Sequence, residues 1–126
     1  MRVLLDTAAL ILALESPQRL SRHCSALLES RKNQLDLSAL SISEIAIKTG
    51  LGKLQLSWDA VRVAIEEWDV RILPYTGEHA QWMFQLPFHH ADPFDRQIIA
   101  QALCESIPVV TCDETFRRYE GLKVIW

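Results

Sequence analysis

Apolar and polar positions along the chain follow two alternating rhythms. Arg2-Val3-Leu4-Leu5 is a short apolar run cut by Asp6, and the next apolar run, from Thr7, is stopped by Ser16-Pro17. This predicts a buried strand over residues 2–5 and a helix over 7–14. A second helix is expected over 21–30, with Cys24, Leu27 and Leu28 inward, before a turn at Arg31-Lys32-Asn33. Leu35-Asp36-Leu37-Ser38 alternates, as a strand does. Ser41-Ile42-Ser43-Glu44 then opens a helix through Lys48 that Gly50 and Gly52 end, with Ile45 and Ile47 bracketing its buried side. Trp58, Val61, Ala64, Ile65 and Trp68 recur at helical spacing, a stripe suited to core or dimer contact. Val70-Arg71-Ile72-Leu73 reads as a strand closed by Pro74, and Thr76 caps a short helix containing Ala80, Met83 and Phe84 that stops at Pro87.

The stretch 89–103 organises the chain. It begins as the loop His89-His90-Ala91 and becomes a helix whose Ile98, Ile99, Ala102 and Leu103 share one face. Strands over 107–111 and 122–126 complete the pattern. Five strands alternating with about seven helical segments predict an α/β sandwich with a mostly parallel five-stranded sheet, as a single domain over residues 1–126.

Composition narrows the field without choosing a function. With 49% hydrophobic residues and no repeat, the chain is globular. Its net charge of −3 is not the overall signature of a nucleic-acid binder, although a local basic patch or a bound cation would change the field at one site. The early apolar run is too short to span a bilayer, and with only Arg2 ahead of it and Asp6 interrupting, no signal peptide is expected. Cys24, Cys104 and Cys112 lack metal-type spacing and are expected to be reduced, buried thiols of a cytoplasmic protein.

The acids carry the chemistry. Asp6 and Asp113 each stand at the exit of a strand, the end at which open α/β sheets bind ligands. Glu44, Asp92 and Asp95 fall in or near the first turn of a helix. Each has a structural use as well: Asp6 and Asp92 as N-caps, Asp95 beside the helix dipole, and Ser41 with Glu44 as a capping box. Gathered together, the acids would repel one another and would suit Mg²⁺ or Mn²⁺, which take carboxylate and water ligands. Lys48 and Arg96 lie beside these acids and are candidates for holding substrate phosphates, or for simple ion pairs such as Glu44 with Lys48 one turn later. His89 and His90 do not share a helix face and have no Cys or spaced His partner, so no zinc site is expected from them.

In their order and spacing, Leu4-Leu5-Asp6-Thr7, Ser41 to Lys48, Gly52-Lys53-Leu54, His89 to Arg96, Ile99-Ala100-Gln101-Ala102 and Val110-Thr111-Cys112-Asp113 resemble a PIN domain. The likeness covers essentially the whole chain and is greatest to the VapC-type toxins of bacterial toxin–antitoxin pairs. It implies a Rossmann-like α/β/α fold and a Mg²⁺- or Mn²⁺-dependent endoribonuclease that hydrolyses RNA with metal-activated water. It further implies a catalytic quartet at Asp6, Glu44, Asp95 and Asp113, all able to hold metal, with Asp92 as an additional acid. Thr7 and Thr111 match the family's polar neighbours of the first and last aspartates. Ser43, where the subfamily often carries an aromatic residue, is implied with Thr7 and Thr111 as a residue supporting the acids. The implied partners are a VapB-like antitoxin, an RNA substrate and a second copy of the chain, with no membrane.

Other classes fit less well. Phosphatases that use an aspartate after the first strand need a second one two residues on, where this chain has Ala8. A phospho-acceptor receiver needs an aspartate after a middle strand, where this chain has Pro74-Tyr75. The alternative that remains is a catalytically silent PIN-like module binding RNA or protein, in which lost acids would be expected; none is missing here.

Overall fold

The computed structural model describes residues 1–126. Its strands are β1 (Arg2–Leu5), β2 (Gln34–Ser38), β3 (Arg71–Leu73), β4 (Val109–Val110) and β5 (Val124–Ile125). They form one sheet in the order β3-β2-β1-β4-β5. Every neighbouring pair is parallel, so the sheet is wholly rather than mostly parallel. The six α-helices are α1 (Thr7–Glu15), α2 (Arg22–Glu29), α3 (Ala39–Gly50), α4 (Trp58–Glu67), α5 (Gly77–Trp82) and α6 (Pro93–Glu105). The remaining helical segments are short 3₁₀ turns, Pro17–Arg19 and Glu114–Arg118.

Alternation along β1 divides the interior into two cores, one on each face of the sheet. Val3 and Leu5 join Leu35, Leu37 and residues of α1 to α4, including Leu10, Leu27, Ile45 and Val61. Leu4 faces the other way, onto Leu73, Leu86, Val109 and the Ile98, Ile99 and Ala102 face of α6. The sheet is therefore the middle of three layers. Going along the chain from β1, strands are added first on one side, as β2 and β3, and later on the other, as β4 and β5. The order reverses between β1 and β4, so a crevice is expected at their carboxyl ends.

Several local expectations give way to tertiary context. The third helix starts at Ala39, with Ser38 capping it by accepting from the Leu40 N–H at 3.1 Å, so Ser41 and Glu44 are not a capping box. Ile47 is half exposed, while Ile45 is buried. Gly52, just past the helix end, has φ +74°, a conformation favourable to glycine. The short helix α5 stops at Trp82, which leaves Phe84 exposed beyond it. Of the thiols only Cys24 is buried; Cys104 is partly exposed and Cys112 exposed.

Because helices cover both faces, the polar positions Asp36 and Ser38 of β2 are buried as well. Asp36 has no exposed surface. In register with Leu4 and Arg71, it accepts from Arg2 Nε at 2.7 Å and from Arg71 Nε and Nη2 at 3.1 and 3.0 Å. Arg2 also reaches Glu105 at the end of α6, at 3.0 Å.

Candidate metal centre

The acids predicted from sequence arrive from four separate segments at the carboxyl end of the sheet. Asp6 leaves β1 as the N-cap of α1, its Oδ1 accepting from the Ala9 N–H at 2.6 Å. The capping and site readings of this residue hold together: one oxygen serves the helix, and the carboxylate faces Asp95, Asp113 and Glu44 closely enough to feel their charges. Asp113 lies just after β4 and caps the 3₁₀ turn Glu114–Arg118 through the Thr115 N–H at 2.9 Å. Glu44 projects from α3. Asp95 stands in the first turn of α6, where Asp92 is the cap, its Oδ1 accepting from the Phe94 and Asp95 N–H groups at 2.8 and 3.0 Å.

Short hydroxyl side chains brace these acids. Thr111 accepts from the Asp113 N–H at 3.0 Å and hydrogen-bonds the Asp6 carboxylate, linking the two strand-exit acids. Thr7 bonds Ser41 at 2.8 Å, fastening the start of α1 to α3. Ser41 is therefore the buried serine that meets Thr7, whereas Ser43 is exposed and its side chain has no hydrogen-bond partner. The reading of Ser43 as a supporting residue gives way to Ser41, because an α3 that begins at Ala39 turns position 41 inward.

The field here is strongly negative. Burial, then repulsion from Asp113 and Glu44, pushes Asp6 from 3.8 up to about 6. Burial, with repulsion from Asp92, Asp6 and Glu44, pushes Asp95 up to about 7. Desolvation raises Asp113 too, but hydrogen bonds from His90 and Thr115 outweigh it and hold this acid below its ordinary value. Lys48 is the cation among them: its Nζ meets Glu44 Oε2 at 2.6 Å, and it feels Asp92 and Asp95. Glu44 Oε1, by contrast, is buried without any hydrogen-bond partner. A buried carboxylate oxygen left unpaired among other carboxylates is what an oxygen-seeking cation would satisfy. The donor set fits Mg²⁺ or Mn²⁺ on chemistry and on this orphaned atom.

Arg96 takes a different part from the one expected. It is buried, donates to the Pro87 and Leu86 carbonyls at 2.7 and 3.2 Å, and lies 3.8 Å from the centre of the Phe88 ring. One residue along a helix turns about 100°, so Arg96 points away from the direction of Asp95 and clamps the preceding loop instead of presenting itself to phosphate. His90 is the residue that sequence reasoning misses. Its Nε2 lies 3.0 Å from Asp113 Oδ2, and one atom each of His90, Asp95 and Asp113 fall within 4.8 Å of one another. In sequence the adjacent histidines raise only the question of zinc, and nothing local signals a partner that lies well along the chain.

Residues 3–122 match the PIN domain family. Among curated proteins, none matches the chain. In three dimensions the chain is similar to VapBC2 from Rickettsia felis, solved bound to a DNA fragment from its promoter. The TM-score there is 0.76 at 16% identity, over 99% of this chain and 98% of that one. It is also similar to DNA-bound VapBC from Salmonella typhimurium, with TM-score 0.72 at 18% identity over 99% and 97% of the two chains. A third similar structure is VapBC-5 from Mycobacterium tuberculosis, a member of the VapBC family of toxin–antitoxin systems, with TM-score 0.64 at 18% identity over 98% and 97%. At such identities the likeness speaks to the fold.

Proposed function

The chain belongs to the PIN domain family, and from that premise we propose that it is a metal-dependent endoribonuclease, the VapC-like toxin of a type II toxin–antitoxin pair. The observation that carries this reading is the convergence of Asp6, Glu44, Asp95 and Asp113 with too little positive charge around them. Asp6 and Asp95 are raised, and Glu44 Oε1 is buried without a partner. A structural role for these acids would leave the orphaned oxygen and the mutual repulsion unexplained.

Asp6, Asp95 and Asp113 would hold Mg²⁺ or Mn²⁺, with Glu44 binding it or orienting its water and Asp92 at the exposed rim. When bound, the ion supplies a nucleophilic water near neutral pH and relief of phosphate charge. The chain supplies the rest. Glu44 Oε1, buried and free of any hydrogen bond, is the acceptor that would bind the ion or orient its water. Lys48 sits at the rim, where its ammonium meets an incoming phosphate. Thr111 and Thr7 keep the strand-exit acids and α3 in place. Cleavage in this arrangement leaves 5′-phosphate and 3′-hydroxyl ends.

The similar VapBC structures support a VapB-like antitoxin as the partner. An apolar groove of about 170 Å³ between α3 and α4, lined by Ile42, Ile45, Ala46, Leu56, Trp58 and Val61, suits a partner's apolar side chains. Trp58 is half exposed at its edge, while Val61 and Ala64 of the same stripe are buried. A homodimer and a cytoplasmic location belong to the same reading; no helix is long and apolar enough to cross a membrane.

The test compares wild type and Asp6→Asn, both free of antitoxin and both shown by circular dichroism to be folded at the assay temperature, on total cellular RNA with Mg²⁺, Mn²⁺ or EDTA. Asn keeps the cap and removes the charge. We expect cleavage by wild type with metal only, and at least about 100-fold slower cleavage by the variant. Equal rates, or cleavage indifferent to EDTA, would defeat the reading.

A further inference from the structure

We infer that His90 is a positioning residue, held as its Nε2–H tautomer by Tyr119, which fixes the carboxylate of Asp113 for cation binding. The inference rests on the metal reading above and extends it to a residue outside the acidic set.

The hydrogen-bond directions come from counting. A tyrosine hydroxyl has one hydrogen to give and two lone pairs to receive with. The Tyr119 oxygen lies 3.3 Å from the His89 backbone nitrogen and 3.1 Å from that of His90. Backbone N–H groups can only donate, so both lone pairs are filled. The hydroxyl hydrogen is left for His90 Nδ1, 3.1 Å away. Nδ1 is then an acceptor, and a neutral imidazole that accepts at Nδ1 carries its proton on Nε2. That proton points at Asp113 Oδ2, 3.0 Å away. Because Nε2 bears a hydrogen, His90 in this arrangement is not itself a metal ligand; it acts through the carboxylate.

Packing removes the ring's freedom. The His90 ring stands edge-on to Phe116 at 5.0 Å and is stacked on Tyr119 at 5.5 Å. Both aromatic residues are buried and lie at the turn Glu114–Arg118, the segment that Asp113 caps. One oxygen of Asp113 thus receives the Thr115 N–H and the other the His90 N–H, which sets the plane of the carboxylate. Each oxygen keeps a further lone pair for a cation. Partners of this kind commonly change metal affinity by 10- to 100-fold.

The experiment measures Mn²⁺ affinity of the antitoxin-free chain by calorimetry, alongside the ¹⁵N shifts of the His90 ring. His90→Phe keeps an aromatic ring in the socket and removes the donor; His90→Gln restores an N–H near the position of Nε2. Tyr119→Phe keeps the ring of the tyrosine and frees the tautomer. We expect an Nε2–H signature in wild type. Mn²⁺ affinity should weaken about 10- to 100-fold in His90→Phe, recover most of that in His90→Gln, and weaken less in Tyr119→Phe. Wild type binding Mn²⁺ with His90→Phe within twofold of it would overturn the inference while sparing the metal reading. So would an Nδ1–H tautomer in wild type, which is decisive even if His90→Phe fails to fold. Wild type that binds no Mn²⁺ would overturn both.

Discussion

Asp36, inside β2, and Asp6, just past the end of the neighbouring β1, are both buried carboxylates, and the fold treats them in opposite ways. Asp36, with no exposure at all, is met by the guanidinium groups of Arg2 and Arg71. Asp6, 3% exposed, faces Asp113 and Glu44 and has only hydroxyl and backbone donors to offset them. A buried charge held for structure is compensated by the chain. The group at the strand exits is left short of positive charge, with Lys48 its one close cation. The difference separates a structural acid from a functional one more cleanly than burial does, since both are buried.

The comparison predicts the largest effect at Asp36. Replacing it with Asn removes the charge that two arginines were placed to meet, and breaking such a pair costs about 3 kcal/mol, the low end for buried pairs because both arginines are partly exposed. Asp95→Asn should leave stability unchanged or raise it, because it relieves repulsion. Urea denaturation of the two variants checks this; equal losses would erase the distinction.

A second difference lies in pH. Asp6 and Asp95 have folded values raised above 3.8, to about 6 and about 7. Below about pH 4 both states are protonated and these groups contribute nothing. As pH rises from there, the unfolded chain releases protons that the native chain still holds. Metal-free stability therefore falls between about pH 4 and 7 and levels off above, with Asp6 alone contributing about 3 kcal/mol of that fall. Asp113 is lowered and acts in the opposite sense, but only below its ordinary value, outside this window. Denaturation midpoints from pH 4 to 8 in EDTA should show the decline, and Asp6→Asn should flatten it.

How much of the fold and the site is legible in the sequence depends on how far each residue's partner lies along the chain. The strand-to-helix switch at Asp6-Thr7 and the cap Asp92-Pro93 are local signals, and the structure keeps both. The alternation of Leu35-Asp36-Leu37-Ser38 marks a strand correctly, but nothing local says that Arg2 and Arg71 close over Asp36. Ser41 has capping-box spacing to Glu44, yet the helix begins two residues sooner and aims it at Thr7. Arg96 sits beside an acid in sequence and turns away from it in space. His90 and Tyr119 are brought together only by the 3₁₀ turn after β4, a feature with no periodicity to betray it.

The smallest predicted effect sharpens the charge argument at its rim. Lys48→Gln removes the one cation bonded to the buried Glu44 but keeps a donor in reach of its Oε2, so stability should fall by about 1 kcal/mol, less than at Asp36. If Lys48 meets the phosphate, KM for RNA should rise severalfold with the variant still folded. An unchanged KM would reduce Lys48 to an ion pair of Glu44.

The central claim, that the chain leaves the strand-exit acids for a cation to complete, is tested most directly by anomalous diffraction from crystals equilibrated with Mn²⁺. The account predicts a peak within about 2.6 Å of oxygens from Asp6, Asp95 and Asp113, with Glu44 bound to it or one water away, and none beside Asp36. Well-ordered acids with no Mn²⁺ peak among them would contradict it.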